Sequence, residues 1–296
     1  MRRGAVGGGV VTVAVVVLAL ALSTGLAGCG QINPYAGRRT VVASFYPLAY
    51  VAQRVVAGHA HVIDLTRPGV EPEDLELDVT QTAEIADAEV AFYESGFQPA
   101  VDQAIAQTGP DHLVDTTATV PIRNDNPHFW LDPVLLARVA RAFTATMANS
   151  DPAHQSDYRH NLHGLEQDLH RLDRAYETGL RTCRLHTVVT THAAFGYLGH
   201  RYGLHFVSIN GLSPDAEPSP EHLRRLQQVI RTRHLTTVFS ETLASPVLAR
   251  TLAGDLGLHT GVLNTLEGLT PATSDQTYLS LMRRNLAALQ KANGCR

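Results

Sequence analysis

The sequence predicts an α/β fold: two lobes with mainly parallel sheets, joined by one long backbone helix, with a binding site in the cleft between them. Three observations carry this. Short β-branched apolar segments alternate with segments of helical period, the pattern of parallel sheets. The alternation occurs twice, once in each half of the chain. Between the two series lies a helical stretch more than twice the average helix length.

In the first half, TVVASF (40–45), HVIDLT (61–66), EVAFYE (89–94) and HLVDTT (112–117) read as strands. PLAYVAQRVVAG (47–58), VTQTAEIADA (79–88), FQPAVDQAIAQ (97–107) and the segment 133–148 read as helices. Residues 150–182 carry Leu162, Leu165, Leu169, Leu172 and Tyr176 at helical spacing, with charged and histidine side chains on the other faces. Ser150 or Asp151 is the expected cap and Pro152 sits in the first turn. This predicts a stiff amphipathic connector. In the second half, strands are expected at 187–192, 205–210, 236–241 and 259–264, and helices at 193–203, 221–233, 245–257 and about 274–292.

The N-terminus has Arg2 and Arg3, then an apolar run from Val10 to about Leu22, then small residues: a secretory signal rather than a structural helix. Its end, Leu26-Ala27-Gly28-Cys29, resembles the bacterial lipobox, in which the cysteine is lipidated and becomes the first mature residue. The expected organisation is signal peptide 1–28, tether 29–38, N-terminal lobe 39–149, connecting helix 150–182 and C-terminal lobe 183–296. No later segment approaches the roughly 18 apolar residues that span a bilayer. Such a protein would be lipid-anchored on the outer face of the cytoplasmic membrane.

The net charge is −4 and no Lys/Arg-rich run follows the signal, which argues against nucleic-acid binding. With Cys29 lipidated, Cys183 and Cys295 remain, and a cysteine pair in an exported protein favours a disulfide. That bridge would pin the C-terminal helix to the start of the second lobe.

The most informative stretch is NPHFWLDP (126–133), which sets His128 beside the only tryptophan, Trp130, just before a helix start. A lone histidine is ordinarily a satisfied polar residue. Here it has company at the sheet edges, where open α/β folds bind ligands. Glu71, Glu73 and Asp74 follow one strand, His192 ends another, and Glu241 and Asn264 end two more. Carboxylates and imidazoles recurring at the cleft edge of both lobes point to a metal site. His154, His160, His163 and His170 lie on the connecting helix and read as solvated.

The motifs PGVEPEDLEL, NPHFWLDP, THAAFGYLGHRYGL, GLSPDAEPSP, VFSETLASP and VLNTLEGLT resemble those of the metal-binding lipoproteins of zinc or manganese ABC importers, the cluster A-I solute-binding family. The resemblance covers the whole mature chain and implies two lobes on one long helix with the metal between them. It implies a first ligand where the family has histidine and this chain has Glu73, then His128 and His192, and a fourth where the family has aspartate and this chain has Asn264. Histidine at position 192 is the zinc-type choice; manganese-type members carry glutamate. Glu73, two imidazoles and Asn264 bring the same −1 as three histidines and an aspartate. Asn264 is a weak oxygen ligand, so water or Glu241 is the alternative fourth donor, and Glu241 would shift the site toward manganese.

The resemblance implies capture rather than catalysis: zinc bound outside the membrane, then handed to a permease driven by an ATPase, by a monomeric protein. The alternatives are a manganese- or iron-binding homologue, a surface adhesin, or a metallohydrolase on the same fold. The last would need a general base, such as Glu71 or Glu241, and the chain has neither an H-E-x-x-H helix nor a G-x-S-x-G elbow.

Overall fold

The structure, a computed structural model, describes Met1, Gly4, residues 39–213 and residues 216–296; those from 39 onward belong to one compact unit, Arg38–Arg296. The signal segment, the tether and Cys29 lie outside the described residues.

Each half builds a four-stranded, all-parallel sheet. The first contains β1 (Thr40–Ala43), β2 (His61–Asp64), β3 (Val90–Tyr93) and β4 (His112–Asp115), in the order β2-β1-β3-β4. The second contains β5 (Thr187–Thr190), β6 (His205–Ser208), β7 (Thr237–Ser240) and β8 (His259–Val262), in the matching order β6-β5-β7-β8. Strand order therefore reverses between β1 and β3, and again between β5 and β7. In such sheets these reversals open a crevice beyond the strands' carboxyl ends.

Nine helices are described: α1 (Tyr46–Val56), α2 (Val79–Ala86), α3 (Pro99–Thr108), α4 (Pro133–Ser150), α5 (Gln155–Leu180), α6 (Gly196–Tyr202), α7 (Pro220–Thr232), α8 (Val247–Leu256) and α9 (Tyr278–Asn293). Helix α5 is the backbone helix. It lies against α4, α1 and α9, and buries Leu165, Leu169, Leu172 and Tyr176, the stripe read from the sequence. One core runs through both lobes, from Val41 and Phe92 across Tyr158 and Leu172 to Val188 and Leu289. Smaller cores lie under the outer faces of the two sheets.

Two local details differ from expectation. Asp151 does not cap the backbone helix through its side chain. The chain turns through a short 3-10 segment, Pro152–His154, and the Asp151 carboxylate instead accepts the Tyr158 hydroxyl at 2.7 Å and pairs with His154 Nδ1 at 2.7 Å. His154 is accordingly half-buried and stacked on His59, whereas His160, His163 and His170 are exposed. The helix after β5 starts at Gly196 rather than 193, because Thr191–Phe195 form the loop that carries His192. Cys183 and Cys295 are disulfide-bonded across 112 residues, tying the end of α5 to the end of α9. Among the described residues no helix is long and apolar enough to cross a membrane.

Candidate metal centre

His128 is held from below and from the side. Arg123–Asn126 is a tight turn whose central residues, Asn124 and Asp125, have φ of 53° and 57°, a geometry that Asn and Asp tolerate best among non-glycine residues. The turn delivers Asn126, whose Oδ1 accepts both the His128 backbone N–H (2.9 Å) and the ring Nδ1–H (2.8 Å). That bond fixes the ring and turns Nε2 to the cleft. Asn126 Nδ2 also donates to Ala193 O of the other lobe at 2.8 Å. Downstream, Asp132 caps α4 by accepting the Val134 N–H at 2.9 Å, with Pro133 in the first turn. The stretch Arg123–Pro133 is thus a turn, a histidine-bearing corner and a helix start in succession. Trp130 is fully buried against Phe45 and Phe97, and its ring centroid lies 5.1 Å from that of His128.

His192 follows β5. Glu241, the first residue after β7, accepts its backbone N–H at 3.0 Å and the Thr191 hydroxyl at 2.6 Å, and makes a short contact with ring Nδ1. Both imidazoles therefore present Nε2 to one point. His128 Nε2 and His192 Nε2 are 3.4 Å apart, and Glu267 Oε1 lies 2.6 Å from the first and 3.8 Å from the second. His128, His192 and Glu267 are 0%, 1% and 1% exposed, so no water shell competes for the three atoms. Their ligand atoms all fall within 4.8 Å of one another, a spacing that can hold one ion.

The strand-end pattern in the sequence points to Asn264 and passes over Glu267. The structure places Asn264 as a brace: its Oδ1 accepts the Leu266 N–H at 2.7 Å, and its backbone groups bond the Asn285 side chain at 2.8 and 2.7 Å. That brace supports Leu266 at φ 60°, a left-handed conformation rare for leucine, and the turn swings Glu267 into the cleft. Asn264 stands outside the metal-capable group, and Glu241 touches His192 rather than the cleft centre.

Glu73 sits in the 3-10 turn Pro72–Asp74, anchored where Gln98 Nε2 donates to Pro72 O at 3.1 Å. Its carboxylate, that of Glu71 and that of Glu267 form a second group within 4.8 Å. Glu71, Glu73, Asp74, Phe97 and His128 line a cavity of ≈ 240 Å³ that opens from this group.

The electrostatics follow from crowding. Burial, then the Glu267 and Glu73 charges, push the Glu71 carboxyl up to about 8. Burial and Glu267 push Glu73 up to about 7. Burial alone would raise Glu267, but the hydrogen bond and charge of His128 and the charge of His192 hold it below the usual carboxylate range. Burial would lower His192, yet the hydrogen bond and charge of Glu241, with Glu267 and Glu71, raise it.

Residues 41–292 match the family of zinc-uptake complex component A, periplasmic (ZnuA). The high-affinity zinc uptake system protein ZnuA of Bacillus subtilis (strain 168) is 32% identical over 285 residues, covering 88% of this chain and 89% of that protein. The structure superposes on the Zn(II)-bound ZnuA-like domain of Streptococcus pneumoniae AdcA with a TM-score of 0.77 at 31% identity, covering 87% and 99% of the two chains. Full-length AdcA is longer, and this chain spans 58% of it. The laminin-binding protein Lmb of Streptococcus agalactiae, described as bifunctional with adhesin and metal transporting activity, gives a TM-score of 0.78 at 27% identity, covering 86% and 99%. The chain belongs to the ZnuA family of zinc-uptake components.

Proposed function

We propose that this protein captures zinc outside the cytoplasmic membrane and delivers it to the permease of an ABC importer, anchored through a lipid on Cys29. The observation that carries the reading is the buried convergence of His128 Nε2, His192 Nε2 and Glu267 Oε1 from both lobes. Two imidazoles and a carboxylate are a familiar zinc set, and each imidazole has the outer partner that zinc-binding histidines use. Glu73, at the family's histidine position, completes four ligands. Two carboxylates and two neutral imidazoles then match the +2 of the ion. Two nitrogen donors favour zinc over manganese. In this reading residues 39–149 and 183–296 are the lobes and 150–182 the helix that limits their relative motion. Four protein ligands leave no open metal position, which suits carriage of an ion rather than turnover of a substrate.

The test is zinc titration of metal-free protein, followed by calorimetry and by the fluorescence of Trp130. One equivalent should bind near neutral pH. His128→Ala and His192→Ala should each weaken binding by more than about 100-fold, beyond the typical loss on removing an outer partner. No uptake at micromolar zinc would overturn the reading.

A further inference from the structure

The two sheets share one topology, so their cleft edges can be compared residue by residue. In the C-terminal lobe, Glu241 immediately follows β7 and His192 lies two residues after β5; the two are paired. The equivalent positions in the N-terminal lobe are Glu94, immediately after β3, and Phe45, two residues after β1. Glu94 therefore has a counterpart's position without a counterpart's partner. It is 2% exposed, and neither carboxylate oxygen has a hydrogen-bond partner. The charges of Asp115 and then Glu73 act on it. The Oε2 atoms of Glu71 and Glu73 are likewise buried and unpartnered.

Five carboxylates thus crowd the cleft: Glu71, Glu73, Glu94, Glu241 and Glu267. Among the described residues none of them pairs with a lysine or arginine; the ion pairs they make are with His128 and His192. One divalent ion between the imidazoles leaves Glu71 and Glu94 without a positive partner among the described residues. On the Glu71–Glu73 side every donor is an oxygen. Oxygen-only sites select hard cations, and imidazole sites select zinc.

We infer that Glu71, Glu73 and Glu267 form a second cation station, beside the imidazole site and backed by Glu94, that takes a hard divalent cation while zinc is bound. Glu73 and Glu267 are shared between the two ions, and Glu71 belongs to the station alone. The inference rests on the zinc reading for its first ion, but the carboxylate group exists independently of it.

The probe is Mn²⁺, counted by the loss of its free electron paramagnetic resonance signal, with zinc release followed by a chromophoric indicator. Zinc-loaded protein should bind one further equivalent of Mn²⁺, with a dissociation constant at or below about 10⁻³ M, the weak end for oxygen-donor sites. Zinc should stay bound. Glu71→Gln should weaken Mn²⁺ at least tenfold and leave one equivalent of zinc bound; Glu94→Gln, an isosteric change outside the shared ligands, should weaken it in the same direction. In metal-free protein, Mn²⁺ binding should survive His192→Ala. Three results would each overturn the station: no Mn²⁺ bound at millimolar concentration, stoichiometric zinc displacement by Mn²⁺, or Mn²⁺ binding unchanged in both Gln variants. Failure of zinc binding with Mn²⁺ still bound and sensitive to Glu71→Gln would instead overturn the zinc reading and keep the station.

Discussion

At the scale of the residue, the cleft is a set of acids held at unusual proton affinities by burial first, then by one another and by the two histidines. Glu71 and Glu73 are pushed up to about 8 and about 7, so at neutral pH both are substantially protonated. Metal binding requires the deprotonated carboxylate, and the ion therefore displaces protons. The sign follows directly. Zinc affinity falls as pH drops through about 8 and then 7, and falls further as His192 protonates. For the metal-free fold the same raised values mean stability that is present at low pH and lost as pH rises through 7 to 8, where like charges appear without counterions. Calorimetry at pH 7 in buffers of different ionisation enthalpy should show net proton release on zinc binding, shrinking towards zero above about pH 9, where the carboxyls are already ionised. Proton release that does not change with pH would contradict the assignment of these groups to the site.

At the scale of the element, each cleft side chain owes its position to a loop that departs from the regular pattern. The loop after β5 is one case, since α6 must begin late and then end tightly. Gly199 allows this: a Cβ there would stand 2.6 Å from Leu204 O and 2.9 Å from the Phe206 ring. The backbone oxygen cannot swing away, so Gly199→Ala should cost about 1–3 kcal/mol, the usual range for overpacking. Chemical denaturation of the metal-free protein measures it, and a cost near zero would mean that α6 shifts freely. These departures also explain what was legible in the sequence. The eight strands, the backbone helix and the convergence of His128 and His192 at the cleft could be read because hydrophobic period locates elements and strand ends locate clefts. Glu267 could not be read that way. The strand-end rule points to Asn264, and nothing in the Leu-Glu-Gly sequence marks Leu266 as left-handed. The available signal was Asn264 itself, since an asparagine two residues before a turn residue is more often a backbone brace than a ligand. The break at Asp151 was hidden for a related reason: Ser, Asp and Pro look like a helix cap, while the choice to bond Tyr158 and His154 depends on tertiary packing.

At the scale of the whole molecule, the two lobes behave as one body because their inner faces share a core and because the site is stitched across the cleft. Trp130 Nε1 donates to Thr265 O at 2.8 Å, Tyr278 OH to Trp130 O at 2.6 Å, Gly69 N to Leu269 O at 2.7 Å, and Arg123 N to Tyr197 OH at 3.0 Å. Each bond joins a segment of one half to a segment of the other. Backbone helix α5 lies beneath both, and the Cys183–Cys295 disulfide closes the chain behind it. Such a frame leaves little room for hinge closure, so the effect of zinc should appear as stabilisation more than as a change of shape. A ligand that binds only the folded state stabilises by about 4 kcal/mol at a thousandfold excess over its dissociation constant. For a unit of this size that corresponds to a Tm increase of about 8–16 °C. Because His128 comes from one lobe and His192 and Glu267 from the other, the whole unit should gain this stability together. Scanning calorimetry should show a single transition that moves up intact on adding zinc. Two transitions, with only one of them shifted, would mean that the lobes unfold separately and that the ion is held by one lobe alone.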